Sequence, residues 1–121
     1  VILIPLRTSS GLNMREHWTA KARRVKRERT IVGLALMGKK KPAIPCSVLL
    51  TRVAPSNGLD DDNLVSGLKA VRDEVAAWIG VDDKLSSLVR YRYAQKRGPW
   101  GVEITFGPPV RTGDVAVEIA A

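Results

Sequence analysis

The stretch LDDDNLVSGLKAVRDEVAAWIGVDDKL, Leu59 to Leu85, sets three aspartates and an asparagine directly before an apolar series, Leu64, Leu68, Val71, Val75 and Trp78, spaced by four and three residues. That spacing is helical, so a helix is predicted from about Asp62 or Asn63, with Gly80 as its stop. Upstream, Cys46 to Val53 is rich in Val, Leu and Thr and reads as a strand, closed by the turn residues of 54–58. Downstream, Leu88 to Lys96 and Trp100 to Phe106 read as the two arms of a hairpin that turns at Arg97, Gly98 and Pro99.

Further out, Val1 to Leu6 reads as a first strand and Thr8 to Leu12 as a loop. A long helix is expected from about Met14 to Leu36. Met14, Trp18, Ala22, Val25, Val32 and Leu36 recur at helical spacing, and Asn13 with Glu16 resembles an N-terminal cap and its return partner. Gly38 to Pro45 breaks that helix and should leave Lys39, Lys40 and Lys41 exposed. The predicted order is β-α-β-α-β-β. It suits an α+β fold in which two helices pack on one small mixed β-sheet. Residues 1–107 are expected to form the domain, and 108–121, where Val115, Val117 and Ile119 alternate, a C-terminal tail or short extra strand.

A chain of 121 residues supports one core, not two. With 45% hydrophobic residues in periodic segments, disorder throughout is excluded. No apolar stretch approaches the roughly 20 residues of a membrane span, so no membrane partner is expected. The apolar start lacks the basic leader of a secretory signal, and Cys46 is the single cysteine. An internal disulfide and a cysteine-based zinc cage are therefore excluded, and a reducing cytoplasm is expected. The net charge is +8, a balance typical of chains that meet phosphates. Residues 1–42 carry eleven Lys or Arg and two Glu, whereas 59–83 carry two basic and seven acidic residues. The chain is a basic body with one acidic segment.

One or two of Asp60, Asp61 and Asp62 could simply cap the helix. Three adjacent carboxylates repel one another unless a cation offsets them, and all-oxygen clusters are what Mg²⁺ selects. A calcium-binding EF-hand loop fails, because Leu64, Val65 and Val71 stand where it needs an acid, a glycine and a glutamate. Asp62, Ser66, Lys69 and Asp73 share one helical stripe, opposite Leu64, Leu68, Val71 and Val75. Such a stripe could hold a metal and neutralise a phosphate, or be a solvated face with an ordinary Lys69 to Asp73 pair.

These 27 residues resemble the signature of the RusA family of Holliday-junction resolvases and its phage relatives. That family has an Asp-x-Asp-Asn-Leu opening, a helix bearing a Lys and then an Asp, and a paired Asp-Asp about ten residues later. The resemblance implies a homodimeric, Mg²⁺-dependent, structure-specific endodeoxyribonuclease that resolves four-way DNA junctions by phosphodiester hydrolysis, with Mn²⁺ as a substitute ion. By the same resemblance Asp60, Asp62 and Asp83 match the metal-binding acids, Lys69 the essential lysine, and Asp73 and Asp82 accompanying acids. One departure stands out. The family pattern has its lysine four residues after the second Asp, where this chain has Ser66, and Lys69 lies seven after. Three extra residues move Lys69 about 4.5 Å along a helix axis while keeping it on the stripe; alternatively the helix starts later, near Gly67. The rival reading is a DNA-binding or assembly protein that retains the fold with catalysis impaired.

Distance adds a separate expectation. A continuous helix from Asp62 to Ile79 would be about 26 Å long, and the links from Ile79 to Asp83 reach back about 13 Å at most. Asp83 is therefore expected from a neighbouring subunit of a two-fold dimer, unless the helix breaks at Ser66 and Gly67.

Lys21, Arg23, Arg24, Lys26 and Arg27 crowd the first helix, and Arg90 and Arg92 alternate with Val89, Tyr91 and Tyr93. All seven cations are candidate DNA contacts, of the sequence-independent phosphate kind. The tyrosines, Trp18 and Trp78 are expected in the core, and the lone His17 in a structural role.

Overall fold

A computed structural model describes residues 1–11, 15–81, 87–109 and 117–119. Five strands form one mixed sheet: β1 (Ile2–Ile4), β2 (Cys46–Ala54), β3 (Val89–Arg97), β4 (Gly101–Gly107) and β5 (Val117–Ile119), in the spatial order β1-β4-β2-β3-β5. Three helices, α1 (Trp18–Leu36), α2 (Asp61–Gly67) and α3 (Lys69–Ile79), complete the α+β fold. β2 runs parallel to β3 and antiparallel to β4; β1 pairs antiparallel with β4, and β5 parallel with β3. Of the alternatives the sequence left for 108–121, a tail or a short strand, Val117–Ile119 forms the strand β5.

Alternation along the strands puts Ile4, Val48, Leu50, Tyr91, Tyr93, Val102 and Ile104 on one sheet face. They join Val32 and Leu36 of α1, Leu64 of α2, Leu68, and Val71 and Val75 of α3 in a single buried cluster. Each large aliphatic side chain so buried contributes about 1.5–3 kcal/mol. Both tyrosines lie in this core, and Trp78 is half-buried against Phe106 with ring centroids 5.8 Å apart. The opposite sheet face carries half-exposed Leu49, Thr51, Arg90, Arg92 and Glu103.

The predicted hairpin is corrected. β3 and β4 are consecutive in sequence but not neighbours, because β2 lies between them. The connection Gly98–Trp100 crosses the end of β2, where the Gly98 N–H donates to the Ala54 carbonyl at 3.1 Å. Two inter-strand spacings are about 10 Å, within the reach of three residues. β2 is buried along nearly its whole length, the mark of a central strand, and it takes the middle place because more of its side chains need cover.

The helices also differ from expectation at their ends. α1 starts at Trp18, where the His17 side chain accepts from the Thr19 N–H. Asn13 lies outside the described residues, and Glu16, expected as its capping partner, is bound by Arg24 instead. Trp18 is 73% exposed, not core, because the fully buried positions of α1 begin only at Glu28. The second helix is broken in two at Leu68. A Cβ on Gly67 would stand 2.7 Å from the Ser9 carbonyl oxygen, so the segment after β1 presses on the helix where only glycine lets it approach. Leu68 leaves helical geometry and turns fully into the core.

Candidate functional site

The acidic segment is held from below by a strand residue. Gln95 of β3 is 2% exposed, and its amide grips the backbone of Leu59 on both sides, accepting from the N–H at 2.8 Å and donating to the carbonyl at 2.6 Å. Gly58 lies against that amide so closely that a Cβ would sit 3.0 Å from it. Arg97 adds a bond to Asn57 at 2.8 Å. The loop before Asp60 is thus tied to the end of β3.

Asp60 is the N-cap of α2. One carboxylate oxygen accepts from the Asn63 backbone N–H at 2.9 Å and from the Asn63 side-chain amide at 2.7 Å. Asn63 is itself buried, and Gly11, at φ +74°, packs on its backbone. Asp61 and Asp62 occupy the first turn of α2, where the helix terminus favours negative charge. All three carboxylates are exposed. Their oxygens are the hard donors that suit Mg²⁺, and the Asn63 contact fixes Asp60 while leaving its other oxygen available.

The structure places Lys69 and Asp73 on the first turns of α3, beyond the break. Lys69 Nζ donates to Asp73 at 2.8 Å, and Arg72 approaches the same carboxylate at 3.8 Å. Asp62 and Lys69 are exposed while Leu64, Leu68, Val71 and Val75 are fully buried, so the polar stripe does face away from the core. Asp82 and Asp83 lie outside the described residues. Among those described, no group of three or more His, Cys, Asp or Glu side chains gathers closely enough to hold a metal. The interruption at Leu68 also means that the single continuous helix assumed in the distance argument for a second subunit is not formed.

A polar cleft of about 260 Å³ opens between the Ser9–Gly11 segment, α1 and the α2–α3 junction. Ser9, Lys21, Arg24, Ser66 and Lys69 line it together with Glu16. Arg24 is held by Glu16 at 2.8 Å and by Glu28 at 2.9 Å, and these acids raise its already high pKa, Glu16 foremost. Its charge is answered inside the protein. Lys21, Arg23, Lys26 and Arg27 are exposed on α1, whereas Arg90 and Arg92 project from the opposite sheet face. The seven candidate DNA contacts are therefore not gathered on one surface.

Sequence reasoning missed Gln95, Ser9, Gly11 and Gly67 as supports of the acidic helix. Gln95 alone carried a signal: an uncharged polar residue in phase with Tyr91 and Tyr93 on a buried strand face. No helix among the described residues is long and apolar enough to cross a membrane. Comparison of the chain with protein-family models, with curated proteins and with solved structures finds no match in any of the three.

Proposed function

We propose that the chain is a Mg²⁺-dependent endodeoxyribonuclease that cuts four-way DNA junctions as a homodimer, the activity implied by its resemblance to the RusA family. The observation that carries this reading is the pair of exposed carboxylates, Asp60 and Asp62, anchored at the start of α2 one short helix away from a cleft lined by Lys21 and Lys69. Asp60 and Asp62 would hold the ion together with Asp83. With the helix interrupted at Leu68, distance no longer requires Asp83 to come from the partner subunit, and the homodimer itself is what the resemblance implies. The ion supplies Lewis acidity at the scissile phosphate and an activated water. Lys69, released from Asp73, would share the charge that builds on the phosphate oxygens, and Lys21 would hold the strand in the cleft. A reducing, cytoplasmic setting belongs to the same reading, since Cys46 is single and buried.

A second reading, a DNA-binding or assembly protein with catalysis lost, is favoured by one observation: Lys69 is already engaged by Asp73, seven residues past Asp62. A synthetic four-way junction incubated with and without Mg²⁺ separates the two. Symmetric cuts that need Mg²⁺, abolished by Asp62→Asn with junction binding preserved, are expected. Tight binding to a junction that stays intact selects the second reading.

A further inference from the structure

At the same end of the sheet as the acidic loop stands a cluster that the reading above does not use. Trp100 sits directly before β4, and two guanidinium groups lie over its ring: Arg7 with Cζ 4.9 Å from the centroid and Arg52 with Cζ 5.5 Å. Arg7 belongs to the segment after β1 and is exposed. Arg52 is on the central strand, on the helix-covered face, and is 4% exposed.

Buried arginines are normally paired, because taking a guanidinium out of water is costly. Arg24, with its side chain only 15% exposed, follows that rule with Glu16 and Glu28. Arg52 does not. Its Nε is buried with no hydrogen-bond partner, and among the described residues no carboxylate is within ion-pair distance of Arg52 or Arg7. Burial lowers the Arg52 pKa, and no acid opposes that shift. Contact with an indole offsets part of that cost and satisfies none of the five N–H donors. Two like charges on one ring with no counter-charge leave room for an anion that accepts several N–H bonds at once, and phosphate oxygens match the arginine fork.

We propose that Arg7 and Arg52, stacked on Trp100, form a seat for a phosphate group of a nucleic-acid strand. The location fits a strand that also passes the acids. Arg52 pairs in register with Gln95, whose amide grips Leu59 directly before Asp60. Trp100 also lines an open groove with Arg97 and with Lys96, which is paired with Glu103. The phosphate chemistry stands on the cluster; its source, a DNA strand, rests on the function proposed above.

The test is a nitrogen-15 NMR titration of the full chain, following the Trp100 indole N–H and the Arg52 Nε–H. Inorganic phosphate is compared with chloride at equal ionic strength, then with a four-way junction in EDTA. Both phosphate and the junction are expected to shift these signals. Arg7→Gln, a change at an exposed site, should weaken both several-fold and lower the slope of log affinity against log salt by about one, while Arg7→Lys keeps most of the slope. If phosphate leaves both signals unmoved, the seat is refuted, whatever the cutting assay gives. If phosphate shifts them but the junction does not, and Arg7→Gln keeps the wild-type salt slope, the nucleic-acid source is overturned. Shifted signals with an uncut junction sustain the seat and count against the nuclease alone.

Discussion

Glu28 has no exposed surface, although it lies on a helix crowded with cations. One oxygen accepts from Arg24 and the other has no partner. Burial raises its pKa above the ordinary 4.5, against the pull of Arg24 and the weaker pull of Arg27. The two partners shift in ways that do not mirror each other, because Arg24 has two acids and some access to water while Glu28 has one hydrogen-bonded cation and no exposed surface. The folded chain therefore binds this proton more tightly than the unfolded chain does. Its contribution to stability is whole below pH 4.5 and is lost as pH rises through the folded value. Glu28→Gln should flatten the profile: as pH rises from 4.5 through the folded value, the wild type loses urea-unfolding free energy relative to the variant. Parallel profiles would refute the shift. Glu28 is in phase with Val32 and Leu36, so its position on the core stripe was open to inspection in the sequence. Its burial was not, since a charged residue on a solvated helix is ordinarily exposed and only the Glu16–Arg24–Glu28 chain makes the exception tolerable.

At the level of elements, the acidic helix depends on a strand far from it in sequence. Gln95→Leu keeps roughly the shape of the side chain and removes both bonds to Leu59. An unsatisfied polar backbone group costs about 1–3 kcal/mol, so a loss of about 2 kcal/mol or more in urea unfolding is expected. Below the melting transition, junction cutting should fall further than junction binding, because the aspartates lose their anchor while the α1 cations stay in place. A variant as stable and active as the wild type would show the clamp to be dispensable. The β3–β4 connection teaches a related lesson. Arg97, Gly98 and Pro99 mark a turn, and the alternation on either side marks two strands. Neither says which strand lies next to which. The choice fell to β2, whose nearly continuous burial demanded neighbours on both edges.

For the molecule as a whole, the proposed function requires two copies. If Asp60 and Asp62 of one subunit act with Asp83 of the other, Asp62→Asn and Asp83→Asn chains are each inactive. Mixed after unfolding and refolding together, they form heterodimers in which one of two sites has all its acids. Half the dimers are then mixed, and about a quarter of the wild-type sites should return, read as nicking of one strand rather than paired cuts. Recovery no greater than the sum of the separate variants would place all three acids in one chain.

Local pattern was enough for the α+β class, the positions of the strands, the polar stripe of Asp62, Lys69 and Asp73, and a capping carboxylate among Asp60, Asp61 and Asp62, because all of these depend on residues within one or two turns of each other. Packing alone decided the central place of β2, the break at Leu68, the exposed Trp18 and the Arg7–Trp100–Arg52 cluster. Each of these joins segments tens of residues apart, where the close approach of one backbone to another, or competition for cover, outweighs local preference.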